Sequence, residues 1–342
     1  MLSPFVFKSY LIMSKPVIAF VTGGYSSEAV ISYKSAVTIE NNIDRTQFDV
    51  YRIDITPEKW FHKDSNGKEV VVNREDFSLP LESGKIKFDA ALIGIHGTPG
   101  EDGKLQGYFD LLQIPYTSCD TTTSAITFNK RYTVAIAGAA GFSVAKSVHL
   151  FKHSYTSSQK FELRYPVFVK PNNGGSSIGM SKVNSVELLD AAIQKAFAED
   201  DQVLLEEFIS GREFTIGVFS SQGKVVCLPF TEVMSENDFF DFEAKYQGKS
   251  KEVTPAVCSE KISNQIRDAA SGIYAIFNCR GVVRMDFIYN EKEEKPYLLE
   301  INTVPGQSAA SIVPQQVAAA GMSLKDFYSL LIQEALHTKS NS

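Results

Sequence analysis

Short apolar runs alternate with stretches in which apolar residues recur every three or four positions. VIAFVT (17–22) reads as a buried strand stopped by Gly23-Gly24. The following EAVISYKSAVTIENNI (28–43) reads as a helix that Ser26 or Ser27 can cap. DVYRIDI (49–55) predicts a second strand and FDAALIGIHG (88–97) a third, followed by the loop GTPGEDG and a helix near 104–112. Strand–helix alternation of this kind argues for a parallel sheet in an α/β domain. From 120 to about 212 the pattern predicts a helix at 129–140, the strand VFVK (167–170), a Gly/Ser loop, a helix near 185–198 and the strand VLLEEF (203–208). Beyond 212 strands dominate: EFTIGVFS, KVVCLPF, VVRMDFIY and PYLLEIN, with helices near 260–277 and 323–336. The charged stretch at 232–252 reads as a long surface loop, and such loops inside compact domains often act as lids.

The most informative stretch is GVVRMDFIYNEKEEKPYLLEINTVPG (281–306), two strand-like runs around a polar turn. If the hairpin is symmetric about Glu293, Asp286 faces Glu300 and Arg284 faces Asn302, and alternation puts all four on one face. The other face then carries Val283, Met285, Phe287, Tyr297, Leu299 and Ile301, a set suited to a core. Opposed carboxylates repel unless a cation lies between them. Asp, Glu and Asn supply hard oxygen ligands that suit magnesium bound with nucleotide phosphates, and Arg284 adds a donor for a developing oxyanion. The competing reading is an amphipathic hairpin with a solvated charged face, against which stand Ile288 and Leu298 on the polar side.

YPVFVKPNNGGSSIGM (165–180) places Lys170 at a strand end before a loop whose Gly174 and Gly175 allow close approach of backbone N–H groups to phosphate. Ser176 and Ser177 add hydroxyls; the alternative is a plain turn. No Walker A spacing and no GxGxxG occur. Lys130, at a helix start, is a second phosphate candidate, although a lysine on a helix surface is usually solvated. Glu206, Glu207 and Glu213 lie at a strand end and across a Gly turn, where adenine and ribose could be held, or where carboxylates simply face water. GGYSSE (23–28) and IHGTPGEDG (95–103) follow the first and third strands, so both loops fall at the carboxyl edge of the sheet, where ligands bind. Glu28 can pair with a substrate ammonium there. His96 is either a site residue or an ordinary structural histidine.

At 342 residues the chain calls for two or three domains. Apolar residues make up 44% and charged residues 22%, as in a soluble globular protein. A net charge of −6 without a basic stretch speaks against nucleic acid as a partner. No apolar run is long enough to span a bilayer, and Cys119, Cys227, Cys258 and Cys279 show no CxxC spacing, so reduced thiols in the cytoplasm are expected. The apolar start MLSPFVFKSYLI is interrupted by Lys8 and lacks a cleavage site; with Met13 as a second plausible start, residues 1–12 read as a tail or an upstream start.

GGYSSE, IHGTPGEDG, FNK, VKPNNGGSSIGM, LLEEFISGREFT, DFEAKY, RMDF, LLEINTVPG and SIVP, in this order from about Pro16 to Lys325, resemble the D-alanine:D-alanine ligases of the ATP-grasp superfamily. The resemblance implies an α/β fold, α+β in its C-terminal part, with a Rossmann-like N-terminal domain (13–120), a central ATP-grasp domain with a phosphate flap (121–211), and a C-terminal ATP-grasp domain (212–342) bearing the metal hairpin and the 232–252 lid. It implies Lys130 and Lys170 on ATP phosphates, and Glu206 to Ile209 and Glu213 on adenine and ribose. Ser177 and Leu299 also fall among nucleotide-binding positions. Asp286, Glu300 and Asn302 are expected to hold Mg²⁺ or Mn²⁺, two ions in all. Glu28 would anchor the first D-alanine's ammonium, in a triad with Ser176 and Tyr246, and Lys245 would be a lid contact to the transferred phosphate. Arg284 and the Gly306 N–H would form the oxyanion hole, Ser311 would meet the second substrate's carboxylate, and His96 would belong to the site. ATP and D-alanine are the expected small-molecule partners, and a homodimer the expected assembly. Gln307-Ser308, where the family commonly has Met-Thr, and Phe242, where it has tyrosine, bear on substrate preference. Rival readings are a ligase making D-alanyl-D-serine or D-alanyl-D-lactate (Tyr246 argues against the latter), another ATP-grasp carboxylate–amine ligase, and a nucleotide-binding regulator without catalysis.

Overall fold

The structure, a computed structural model, describes residues 14–174, 178–235 and 250–339. Its first sheet contains β1 (Val17–Gly23), β2 (Asp49–Ile55), β3 (Trp60–Lys63), β4 (Glu69–Val71) and, after a small hairpin of β5 (Leu79–Leu81) and β6 (Gly84–Ile86), β7 (Ala90–Ile93). The order is β4-β3-β2-β1-β7. β1 runs parallel to both β2 and β7. Ile18, Ala19, Phe20 and Val21 are fully buried, because a central parallel strand is covered on both faces. Adjacent parallel strands deliver the loops after β1 and β7 to the same sheet edge, and Tyr25 N–H donates to Thr98 O across them at 2.8 Å. The turn after β1 needs glycine: Gly23 has φ +97°, and a Cβ there would lie 2.5 Å from Ile55 O. α1 (Ala29–Asn42) follows this turn, and α2 (Lys104–Leu111) follows the loop after β7.

α3 (Thr121–Phe128) and α4 (Lys130–Ala139) lead into a second sheet of β8 (Ser147–Phe151), β9 (Val167–Pro171), β10 (Ser181–Val183) and, after α5 (Leu189–Phe197), β11 (Gln202–Glu207). Its order is β10-β9-β11-β8, all antiparallel. α5 buries Leu189, Ala192, Ile193, Ala196 and Phe197, the 3.6-residue stripe of an amphipathic helix, against Val167, Val169, Val203 and Leu205.

The third sheet comprises β12 (Arg212–Ser221), β13 (Lys224–Cys227), β14 (Thr231–Ser235), β15 (Ser250–Val253), β16 (Val282–Asn290) and β17 (Lys295–Asn302). Its order is β15-β14-β12-β16-β17, with β13 also on β12. α6 (Glu260–Ile276), capped by Ser259, packs Ile266, Ala270, Ile273 and Tyr274 onto the inward side chains Phe214, Ile216, Val283, Met285 and Phe287. Each such side chain contributes roughly 1.5–3 kcal/mol by leaving water. α7 (Ile312–Ala319) and α8 (Leu324–Lys339) close the chain, with Val313, Val317, Phe327 and Leu331 in the same cluster as Ile18, Phe20 and Ile39.

Two expectations change. The 232–252 stretch is not loop throughout: β14 and β15 pair antiparallel from Glu232↔Val253 to Ser235↔Ser250, so its ends extend the third sheet. Leu299 does not join the core. A bulge after Asp286 shifts the register by one, so Phe287 pairs with Leu298, which is 2% exposed, while Leu299 is half-buried. The extra residue puts Leu298 in the place alternation assigned to Leu299.

Candidate active site

The β16–β17 hairpin has the expected pairing where the polar residues sit: Asp286↔Glu300 and Arg284↔Asn302. Arg284 grips Asp286 with two hydrogen bonds, Nε to Oδ1 at 2.9 Å and Nη2 to Oδ2 at 2.8 Å. Its Nη2 also lies 3.7 Å from Glu300 Oε1. Burial disfavours the guanidinium charge, but Asp286, Glu300 and Glu101 more than compensate and raise its pKa. Thr215, paired with Asp286 across β12 and β16, donates its hydroxyl to Asp286 Oδ1. Asn302 Oδ1 is buried and has no hydrogen-bond partner. An orphaned acceptor is costly, and a cation beside two carboxylates would satisfy it. Among the described residues no cluster of three or more His, Cys, Asp or Glu side chains could hold a metal. A metal here would therefore rely on two carboxylates, one amide and oxygens from its ligand, which is a magnesium-type donor set.

The hairpin faces a cleft of about 420 Å³. The cleft brings together Glu28, His96, Lys130, Glu213, Arg284, Asp286, Glu300, Asn302, Gly306 and Ser311 from the predicted set. Glu28 leans against the 97 loop, since a Cβ on Gly97 would lie 2.5 Å from its Oε2. Gly306 sits close to Ser311: a Cβ there would be 2.8 Å from Ser311 Oγ. Ser311 stands at the N-cap of α7 without capping it; its hydroxyl meets Ser308 Oγ at 2.8 Å instead.

His96 is 6% exposed, and its Nε2 lies 3.0 Å from Ser35 Oγ. Burial, reinforced by Arg284, lowers its pKa to about 4 against a hydrogen bond with the Val304 backbone, so the ring is neutral. Ser35 Oγ also accepts from Gln307 N–H, so the imidazole, the Ser35 hydroxyl and the chain after β17 meet at one point. The sequence reading missed Glu101, a cleft residue that is 8% exposed. Burial, and then Glu28, push its pKa up to about 8. Its only signal in the sequence was its place in the Gly-rich loop.

On the phosphate side, Lys130 begins α4 and donates from Nζ to Gly174 O. Lys170, Glu206, Glu207, Ile209 and Leu299 do not line this cleft. Lys170 ion-pairs with Glu206 on one face of the second sheet. Glu207 points to the other face, where burial is outweighed by Arg164, whose Nε and N–H bond the carboxylate at 2.8 and 3.0 Å and lower its pKa. Ser176, Ser177, Lys245 and Tyr246 lie outside the described residues.

Antiparallel sheets around a cleft that holds a lysine and a carboxylate–amide hairpin define an ATP-grasp ligase. Two family models match, the D-ala D-ala ligase N-terminus over residues 17–119 and the D-ala D-ala ligase C-terminus over residues 136–333. The D-alanine–D-alanine ligase of Flavobacterium johnsoniae is 42% identical over 321 residues, 93% of this chain and 99% of its own length. Among solved structures, VanG D-Ala:D-Ser ligase from Enterococcus faecalis is 32% identical, with a TM-score of 0.82 over 94% of this chain and 100% of its own. D-alanyl-alanine synthetase A from Vibrio cholerae is 28% identical, with a TM-score of 0.83 over 95% and 99%. The chain belongs to the D-alanine–D-alanine ligase family and is an ATP-dependent enzyme.

Proposed function

We propose that the protein joins two D-alanine molecules into D-alanyl-D-alanine, coupled to ATP cleavage, as a step in supplying peptidoglycan precursors. Family membership along nearly the whole chain supports the reaction. One observation carries the site: Arg284, Asp286, Glu300 and Asn302 share a cleft with Glu28 and Gly306. In this reading Glu28 receives the ammonium of the first D-alanine, while Arg284 and the Gly306 N–H receive its carboxylate. A carboxylate oxygen attacks the γ-phosphorus of ATP, the bond to the β–γ bridging oxygen breaks, and ADP leaves. The uncharged amine of the second D-alanine, its carboxylate at Ser311, then attacks the acyl carbon of the D-alanyl phosphate. The developing oxyanion meets Arg284 and Gly306, the acyl C–O bond breaks, phosphate leaves, and the amine's proton passes to solvent. These residues contribute position and fixed charge rather than covalent chemistry. Lys130, Lys170, Ser177 and Lys245 are assigned to the phosphates, Glu206, Glu207, Ile209, Glu213 and Leu299 to the nucleoside, and Ser176 and Tyr246 to the triad with Glu28.

Asp286, Glu300 and Asn302 would hold Mg²⁺, or Mn²⁺ in its place, as two ions with the nucleotide phosphates. Bound there, the metal neutralises phosphate charge. A cytoplasmic homodimer, divided at 120/121 and 211/212, accompanies this reading, and no described helix is long and apolar enough to cross a membrane.

The test is phosphate release from Mg-ATP with D-alanine, L-alanine or no amino acid, with the product identified by mass. Release only with D-alanine, giving D-alanyl-D-alanine, supports the reading; ATP binding without D-alanine-dependent release refutes it. A second reading takes D-serine as the second substrate. The likeness to a D-Ala:D-Ser ligase and the paired Ser308 and Ser311 hydroxyls in the cleft favour it. Competition between D-alanine and D-serine, read by product mass, decides between the two.

A further inference from the structure

The segment Thr303–Gln307 leaves β17 and carries Gly306. Its backbone is held by side chains far away in sequence. Glu101 Oε1 accepts from Val304 N–H at 3.3 Å, across 203 residues, while its Oε2 accepts from Gly97 N–H at 2.6 Å. Ser35 Oγ accepts from Gln307 N–H at 3.1 Å, across 272 residues. His96 backs the second hold, its Nε2 lying 3.0 Å from Ser35 Oγ. On the far side the Tyr328 hydroxyl donates to Gln307 Oε1 at 3.1 Å. The positions two before and one after Gly306 are thus both pinned to the N-terminal domain, one to the loop after β7 and the other to α1.

We propose that Glu101 is a positioning residue for acyl transfer: with Ser35 it fixes the Val304–Gln307 backbone, so that the Gly306 N–H and Arg284 converge on one oxygen atom. The inference rests on the ligase reading given above. Oxyanion donors act only when preorganised within about half an ångström, so holding both sides of Gly306 has a direct consequence for rate. The residue type fits the task. A carboxyl has two oxygens and can accept one N–H from each of two segments; glutamine would turn an NH₂ toward one of those donors, and aspartate is one methylene short of spanning them. The place is otherwise a poor one for a carboxyl, being nearly closed to solvent and beside Glu28. The same contact joins the loop against which Glu28 leans to the loop that carries Gly306, and so couples the ammonium anchor to the oxyanion donors.

The test compares full-length wild type with Glu101→Gln by steady-state kinetics and by hydrogen–deuterium exchange of the peptide covering residues 303–308. The expected result has two parts. kcat falls on the order of 10-fold or more while KM for ATP stays within about 3-fold, and 303–308 exchanges on the order of 10-fold faster. Unchanged exchange in a folded Glu101→Gln protein overturns the proposal, as does faster exchange with normal kcat. If Glu101→Gln does not fold, Ser35→Ala releases the same loop from the other side, with the same two readouts and the same outcomes. Exchange is measured without substrate, so a wild type inactive on D-alanine would count against the ligase reading while the exchange result still judged the clamp.

Discussion

Arg284 and Asp286, two residues apart on one face of β16, are joined by a bidentate hydrogen bond at 2.9 and 2.8 Å. The contact aligns the guanidinium plane, and Glu300 at 3.7 Å adds a second carboxylate to the same cation. Arg284→Ala should lower turnover by about 10²–10³ or more, as for loss of an oxyanion donor. Arg284→Lys should restore little, because an ammonium has no planar fork with which to hold Asp286 and still face a second oxygen. Steady-state kcat of both variants checks this, and near-normal turnover in either would remove Arg284 from the chemistry.

Thr215 acts one layer back, through its hydroxyl on Asp286 Oδ1. Thr215→Val keeps the shape and deletes the donor. Loss of such a partner behind a metal ligand typically costs about 10–100-fold in metal affinity or activity. The Mg²⁺ concentration for half-maximal activity should rise by about that factor, with kcat at saturating Mg²⁺ less affected. An unchanged Mg²⁺ titration would mean that Asp286 does not depend on this contact.

Asn302 bears a buried oxygen without a partner. Asn302→Leu removes that acceptor, so without metal or nucleotide the variant should be more stable by about 1–3 kcal/mol, and turnover should collapse. Thermal melts without metal, paired with an activity assay, read both effects. A lower melting temperature in the variant would show that the oxygen is not an energetic liability.

Two buried groups give opposite pH signatures. The Glu101 carboxyl is raised from 4.5 to about 8, so the stability it permits is complete below pH 4.5 and drains away as pH rises through 8. His96 is lowered from 6.5 to about 4, so its stability is complete above pH 6.5 and is lost as pH falls through 4. Unfolding free energies of wild type and Glu101→Gln, from urea titrations between pH 5 and 8, should shift in favour of the variant as pH rises, by a few kcal/mol at most. A constant difference would show that Glu101 is already ionised at pH 5.

The polar pairing of the hairpin was readable because side chains alternate and the turn is short, so Arg284, Asp286, Glu300 and Asn302 could be set on one face from numbers alone. The bulge was not readable: Leu298 and Leu299 are the same residue type, and nothing local says which enters the core. The pairing of β14 with β15 was hidden because its strands are short, charged and separated by residues 236–249. The parallel neighbours of β1 followed from its unbroken apolar run. Thr215 and Glu101 escaped notice because their partners, Asp286 and Val304, lie 71 and 203 residues away. Such contacts depend on how sheets stack, which no periodicity encodes.

The central claim is that a D-alanine carboxylate oxygen is phosphorylated and then expelled with phosphate in the cleft around Arg284. Mass analysis of phosphate released from unlabelled Mg-ATP with D-alanine carrying ¹⁸O in its carboxylate tests this most directly. The account predicts one ¹⁸O atom in each phosphate formed with D-alanyl-D-alanine. Unlabelled phosphate, released alongside the same dipeptide, would contradict it.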